Sequence, residues 1–308
     1  MKRVMEKTIK WGLVAPLAII IAAVATSWAT PTSVNLGSAA DYAVVGVGGS
    51  VAVQSDFSLY QSATVVKGNV AEGPHTALTH GIDATVIGRW DYDLTDADPS
   101  AAGYTGTVTG GFHQIDLSGV SLDAINASNA AAALTPTQTF STLSEHQSIN
   151  LSGNEVVRIT GAVTLKTGLT INGDAGSTIV FQLVSTGGQT LNLSGMTMIL
   201  TGGILADNIV WNLNGTNNNQ KNDLNISSGS VVYGNFLAPY RNIEVDHGDV
   251  TGRLIGGGGG VDHPGLDIHS SSRINVQQPP VTTPEPSTLL LLVCGLAGLG
   301  LRKRNVGR

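Results

Sequence analysis

Apolar and polar residues alternate with a period of two through much of the chain, in short runs closed by glycine. Four runs between Gln147 and Gly229 are nearly alike: Ile149-Asn150-Leu151-Ser152-Gly153, Leu169-Thr170-Ile171-Asn172-Gly173, Leu191-Asn192-Leu193-Ser194-Gly195 and Trp211-Asn212-Leu213-Asn214-Gly215. Each reads as a short strand with one buried face, after which glycine lets the chain turn. The closing glycines, Gly153, Gly173, Gly195 and Gly215, recur at a near-constant spacing, and Leu224-Asn225-Ile226-Ser227-Ser228-Gly229 is a looser fifth copy. Further strands are predicted at Thr178 to Leu183, Met196 to Leu200 and Val231 to Phe236. One such coil cannot bury its apolar side alone, so a near-constant repeat predicts a solenoid. The fold class expected is all-β, a parallel β-helix with Leu151, Ile171, Leu193 and Leu213 stacked inward; an evenly spaced β-sandwich is the alternative. A helical reading fails, because apolar residues recur at two rather than at three and four.

One Ala-rich segment breaks the alternation. Ser121 to Leu134 predicts a helix alongside the solenoid, with Ser121 as N-cap and Thr135-Pro136 as the stop. Asp91 to Gly111 reads as a polar loop.

The two ends differ from the body. Lys2, Arg3, Lys7 and Lys10 precede the apolar run Trp11 to Ala25, and Ser27-Trp28-Ala29 has the small-x-small pattern of a cleavage site. Residues 1–29 therefore read as a secretory signal peptide cleaved after Ala29. Ser287 to Leu301 is a charge-free run of fifteen residues, preceded by Pro284-Glu285-Pro286 and followed by Arg302-Lys303-Arg304. As a helix it would cover about 22 Å, short of a ~30 Å hydrocarbon core, which makes it a weak transmembrane anchor. A buried core helix is the alternative, but one apolar on all sides and closed by a basic cluster is rare. Basic flanks stay cytoplasmic, so both ends place the intervening chain across the membrane. The expected layout is a signal peptide (1–29), a β-helix surface domain (30–276), a Pro-rich linker with the Pro-Glu-Pro motif (277–286) and an apolar sorting segment (287–308).

Composition narrows the chemistry. Cys294, the only cysteine, lies in the apolar tail, leaving the exported part without a disulfide. Thr30 to Pro286 holds 8 Lys and Arg against 21 Asp and Glu, a net charge of −13, which makes nucleic acid a poor partner. Asp91-Tyr92-Asp93-Leu94-Thr95-Asp96-Ala97-Asp98 has the alternating carboxylates that calcium favours, yet lacks the glycine and closing glutamate of a calcium loop, so a solvated acidic loop is expected. His247, His263 and His269 stand near Asp246, Asp249, Asp262 and Asp267 without a zinc spacing; a polar end-cap of the solenoid is the expectation. No G-x-S-x-G elbow occurs. Polysaccharide-lyase chemistry needs clustered carboxylates and a base, where the repeats offer only scattered Arg158, Lys166, Lys221, Arg241 and Arg253. No catalytic, cofactor-binding or metal residue is assigned, and an enzyme is not expected.

The tail, by Pro284, Glu285, Pro286, the helix Ser287 to Leu301 and Arg302, Lys303, Arg304, resembles the PEP-CTERM sorting signal of Gram-negative surface proteins. That resemblance implies processing by an exosortase-type enzyme, transient membrane anchoring through the C-terminal helix, and release or attachment at the cell surface or in the extracellular matrix. Leu36 to about Ile274 resembles the choice-of-anchor A and ice-binding-like adhesin β-helix domains. The stretches that carry this are Leu36 to Val45, Leu134-Thr135-Pro136-Thr137, Val180-Phe181-Gln182-Leu183, Gly234 to Pro239 and Gly252 to Gly256. The function implied is non-catalytic binding or adhesion to extracellular polysaccharide or another surface polymer, with ice binding or a polysaccharide-active enzyme as alternatives. Against ice, Thr164, Thr170, Thr178, Thr190, Thr197 and Thr201 keep no constant place in the repeat, where Asn150, Thr170, Asn192 and Asn212 alternate.

Overall fold

The structure is a computed structural model, and it describes residues 34–48, 55–61, 63–80, 83–101, 103–184, 191–215, 223–257 and 265–276. These form three sheets of parallel strands, here sheet 1 with ten, sheet 2 with seven and sheet 3 with nine. The chain visits them in that order once per coil: Asn154–Ile159 lies in sheet 1, Val163–Leu165 in sheet 2 and Gly168–Asn172 in sheet 3. The parallel β-helix expected from the alternation is thus the fold.

Inward positions form unbroken columns. In sheet 2, Leu165, Leu193, Ile226, Val245, Ile268 and Leu59 pair in succession and all are fully buried. In sheet 1 the column is partly aromatic: Phe181 stacks on Trp211 at 3.9 Å between ring centres, and Trp211 on Phe236 at 6.0 Å. Towards one end Trp90 packs edge-on against Tyr104 at 5.0 Å and Phe57 at 5.6 Å. Such rings bury large apolar areas and keep neighbouring coils in register.

The four sequence repeats do not form a single stack. Ile149 pairs with Ile171 in sheet 3, but Leu193 lies in sheet 2 and Leu213 in sheet 1, while Leu151, just past its strand, is half-buried. Apolar-polar-apolar strands occur in all three sheets, so likeness to that pattern carries no label of the face. Coil length also varies: the turn of the solenoid from Val231 to its partner Asp249 is short, whereas the turn from Thr197 to its partner Val231 is nearly twice as long.

Stacking order departs from chain order. Sheet 1 runs from Gln138–Phe140 through Leu254–Gly256, then takes Tyr42–Gly46 and ends at Phe112–Ile115. The first strand therefore enters beside the last coil, three coils wind outward from it, and the chain must return to the far end before winding back. Helix α1 (Ser118–Ala133) makes that return. Sixteen residues span about 24 Å, some five strand spacings of ~4.8 Å, and the flanking segments cover the remainder. Val120, Ala124, Ala127 and Ala131 face Val180, Val210, Leu237, Ile255 and Val45 on the outer side of sheet 1. Alanine allows the close approach. Ser121 is interior to this helix rather than its cap, and donates to the carbonyl of Val47 at 2.5 Å. Asp116 and Asp93 instead accept the Ser118 and Leu117 N–H groups at 2.9 and 2.8 Å. At the other end Gln182 Nε2 donates to the carbonyls of Ala131 and Leu134 at 2.7 and 2.8 Å, satisfying terminal acceptors of the helix.

A charge in the sheet 2 column is expected to be intolerable. Leu193→Asp should lower stability by at least ~4 kcal/mol, through an unpaired buried carboxylate plus lost packing; a thermal melt and far-ultraviolet circular dichroism of the purified domain read this out.

Candidate binding face

Each face of the prism has a different fate. Sheet 1 is covered on its middle strands by α1, while sheets 2 and 3 turn their outward positions away from the core. On sheet 3, one outward column runs Thr197, Val231, Asp249, Arg273, Val65, Thr85 and Thr107, each paired with the next. A second runs Tyr233, Thr251, Asn275, Lys67 and Ile87. Beyond Thr197 the wall continues with Ser148, Thr170 and Ile199 in one column and Asn150, Asn172 and Thr201 in another. Hydroxyls, amides and aliphatic side chains are interleaved. Ile87 and Ile199 are 47% and 51% exposed, high for large aliphatic groups. Asn172 Nδ2 donates to Asn150 Oδ1 at 3.1 Å and its Oδ1 accepts from Thr201 at 3.0 Å, so this column is already bonded along its length. Charge sits at mid-face, where Arg273 faces Asp249 at 3.7 Å with Lys67 on the adjoining strand.

Sheet 2 is acidic. Its outward columns run Thr164, Asn192, Asn225, Glu244, Asp267 and Ser58, and Ser194, Ser227, Asp246 and His269. Tyr60 stacks on His269 at 5.0 Å. The His269 ring divides its nitrogens, Nε2 facing Glu244 at 3.6 Å and Nδ1 facing Asp246 at 3.5 Å, while His247 Nδ1 lies 2.8 Å from Asp246. Two nitrogens directed at different carboxylates do not converge on one ion. These residues lie on the wall between coils, not on an end-cap as expected, and Asp249 is on sheet 3. Asp262 and His263 lie outside the described residues.

The acidic run from Asp91 is also not a solvated loop throughout. Trp90–Asp93 is a strand of sheet 1, with Asp91 and Asp93 only 1% and 3% exposed beside α1. Asp91 Oδ2 accepts from Tyr42 and from Arg89 Nε, both at 2.7 Å. The alternation Trp-Asp-Tyr-Asp is the strand signal that was available there. Thr107–Val108 is likewise a short strand.

Glu72, paired with inward-facing Tyr92, points into the solenoid and accepts from Trp90 Nε1 at 3.1 Å. Burial, reinforced by Asp96, pushes its carboxyl up to about 8. Asp96 is raised to about 7, again chiefly by burial. Both groups bind protons more tightly folded than unfolded, so their stabilisation is complete below the ordinary carboxylate range and is lost as pH rises through 7 and 8. The melting temperature should therefore fall between pH 5 and pH 8, with Glu72→Gln flattening that slope; parallel melts at the two pH values measure it.

Ala29, Pro284, Glu285, Pro286, Arg302, Lys303 and Arg304 lie outside the described residues, as do the apolar segments beside them. Among the described residues no helix is long and apolar enough to cross a membrane.

The model of an ice-binding-like adhesive domain matches residues 29–259, three quarters of the chain. The chain belongs to the ice-binding-like adhesive domain family. A PEP-CTERM protein-sorting motif matches residues 282–304, over the Pro-Glu-Pro and basic residues. This motif indicates export to the cell surface, with exosortase processing and membrane anchoring beforehand. Among solved structures, the fold is similar to an ice-binding protein from the Antarctic ascomycete Antarctomyces psychrotrophicus, with 23% identity, a TM-score of 0.53 and coverage of 80% of this chain and 100% of that one. A glycosylated ice-binding protein from an Arctic yeast gives 20%, 0.54, 82% and 97%. The Shewanella frigidimarina ice-binding protein domain gives 19%, 0.51, 81% and 99%. At these identities the likeness is one of fold. No curated protein matches the chain.

Proposed function

We propose that this family member is an exported, non-catalytic adhesin whose sheet 3 face holds extracellular polysaccharide. Support comes from the outward columns of that face, where aliphatic Val65, Val231, Ile87 and Ile199 alternate with Thr, Ser and Asn side chains. Sugar rings offer the same combination, an apolar C–H face bordered by hydroxyls. Cleavage after Ala29 and near Pro286 would release the domain from both membrane segments, with the Pro-rich stretch 277–286 as spacer.

Ice is the second reading. It is favoured by the family and by threonines at both ends of the face, Thr170, Thr197 and Thr201 at one and Thr85 and Thr107 at the other. The remaining threonines named from the sequence are dispersed: Thr164 belongs to sheet 2 and Thr178 to sheet 1, while Thr190 lies outside the described residues. Arg273, Asp249 and Lys67 interrupt the array at its centre, and strongly hydrated charges oppose an ice-like water layer.

The purified domain is expected to be retained on matrix polysaccharide and to give no thermal hysteresis. Faceted ice crystals in its presence, with no retention on polymer, would reverse the two readings. Intact-mass spectrometry of cell-associated and released protein should find a chain beginning at Thr30 and lacking 287–308; an uncleaved tail on surface protein would contradict the sorting scheme.

A further inference from the structure

Where sheet 3 turns into sheet 1, most coils pass through a glycine corner, Gly234, Gly252 and Gly68 among them. These corners stack closely: the Gly234 N–H bonds the Thr251 carbonyl at 3.0 Å, and a Cβ on Gly252 would lie 1.9 Å from the Gly234 carbonyl oxygen. At one level the wall cannot be continuous. Arg273–Asn275 ends its coil at Val276, whose N–H bonds the Lys67 carbonyl, and the next place in sheet 1 is filled by Tyr42–Gly46, arriving from Gly37–Asp41. The discontinuity leaves a cleft of about 490 Å³, lined by Asp41, Lys67, Gly68, Asn69, Ile87 and Val276. That volume is within the ~300–1,000 Å³ of ligand pockets.

We propose that this notch is a saccharide subsite that takes one neutral hexose unit, and that it anchors the polymer lying along sheet 3. The inference rests on the polysaccharide reading above, since Lys67 and Ile87 belong to both the notch and the outward column. Asn69 is committed to the wall, its Nδ2 donating to the Asp41 carbonyl at 3.0 Å and its Oδ1 accepting from the Arg89 N–H at 3.1 Å. Asp41 and Lys67, both exposed, supply the side chains that can turn to a ligand. A carboxylate and an ammonium in one cleft sum to no charge and can pair with hydroxyls as acceptor and donor, so a neutral sugar leaves no added charge to be balanced. Ile87 and Val276 provide the apolar surface for the ring. Gly68 lets the coils close beneath: a Cβ there would meet the Ala43 Cβ at 2.7 Å and Val276 Cγ2 at 3.2 Å.

The test is calorimetric titration of the mature protein with tetrasaccharides of β-linked glucose, galactose, mannose and glucuronate, beside retention on matrix polymer. At least one neutral tetrasaccharide should bind, and Asp41→Ala and Lys67→Ala should each weaken it at least tenfold with unchanged melting temperature. Thr164→Ala, on sheet 2 and off the proposed face, should leave tetrasaccharide affinity within twofold. Wild-type affinity in both notch variants, binding of glucuronate alone, or binding of no tetrasaccharide overturns the notch, even where polymer retention upholds the adhesive face. Loss of polymer retention in wild-type protein, with tetrasaccharide binding intact and sensitive to both variants, sinks the face and leaves the notch standing.

Discussion

Tyr42–Gly46 pairs in parallel with Leu254–Gly256, and the two halves of the solenoid meet at this pairing. The same junction is repeated on the other walls, Phe57 against Leu266 in sheet 2 and Val66 against Ile274 in sheet 3. Without it, each half would present an open ring of apolar side chains, because a coil buries its interior only against a neighbour. Space at the seam is tight: a Cβ on Gly46 would meet the Phe57 ring at 2.9 Å and one on Gly256 would meet Ile243 Cδ1 at 2.4 Å, and these two glycines pair with each other. The first coil therefore has one neighbour from its own half and one from the opposite end of the domain's sequence.

The helix follows from that topology, and its position is specified by polar ties more than by apolar area. Alanines contribute little surface each, so sliding along sheet 1 would change the burial only modestly. Hydrogen bonds are less permissive. Asn212 exchanges two with Ser128, through Oδ1 at 2.7 Å and Nδ2 at 2.9 Å, and Gln182 and Asp93 hold the two ends of the helix. Each of these groups is nearly or fully buried, so a shift would strand several of them at ~1–3 kcal/mol apiece. The middle strands of sheet 1 are thereby committed to structure.

Period-two alternation and glycine punctuation made the strands and the solenoid legible from sequence, and alanine content with Thr135-Pro136 made the helix legible. Stacking order was not, because a strand such as Leu191-Asn192-Leu193 reads alike whichever wall it joins. The seam was hidden for a related reason: nothing local in Tyr42–Gly46 marks its neighbour as Leu254–Gly256, a strand from the opposite end of the domain's sequence. Asp91 and Asp93 misled because carboxylates usually mark solvent, whereas here Arg89, Tyr42 and the start of α1 satisfy them. The candidate face was legible only in part. Its threonines and asparagines are visible in the sequence, but Lys67, Ile87, Asp249 and Arg273 come together only through coil register.

The charge distribution bears on how an acidic protein can approach a polymer at all. The segment from Thr30 to Pro286 carries a net −13, yet the Debye length is ~8 Å at physiological ionic strength, so a ligand at one wall senses mainly the charges of that wall. Sheet 2 offers Glu244, Asp246 and Asp267 on neighbouring strands, a repulsive surface for acidic matrix and a poor one for ordered water. Sheet 3 holds its few charges as Asp249 with Arg273 and as Lys67, which shares the notch lining with Asp41 of the preceding turn, close to neutral at short range. On a face without net charge, neither steering nor ion pairing decides what stays bound. On the polysaccharide reading proposed above, selectivity would then rest on hydroxyl geometry and aliphatic contact repeated from coil to coil, and affinity would rise with the number of coils a ligand spans. That physics would favour long polymers over small solutes, and the proposed notch would set where along the polymer the face engages.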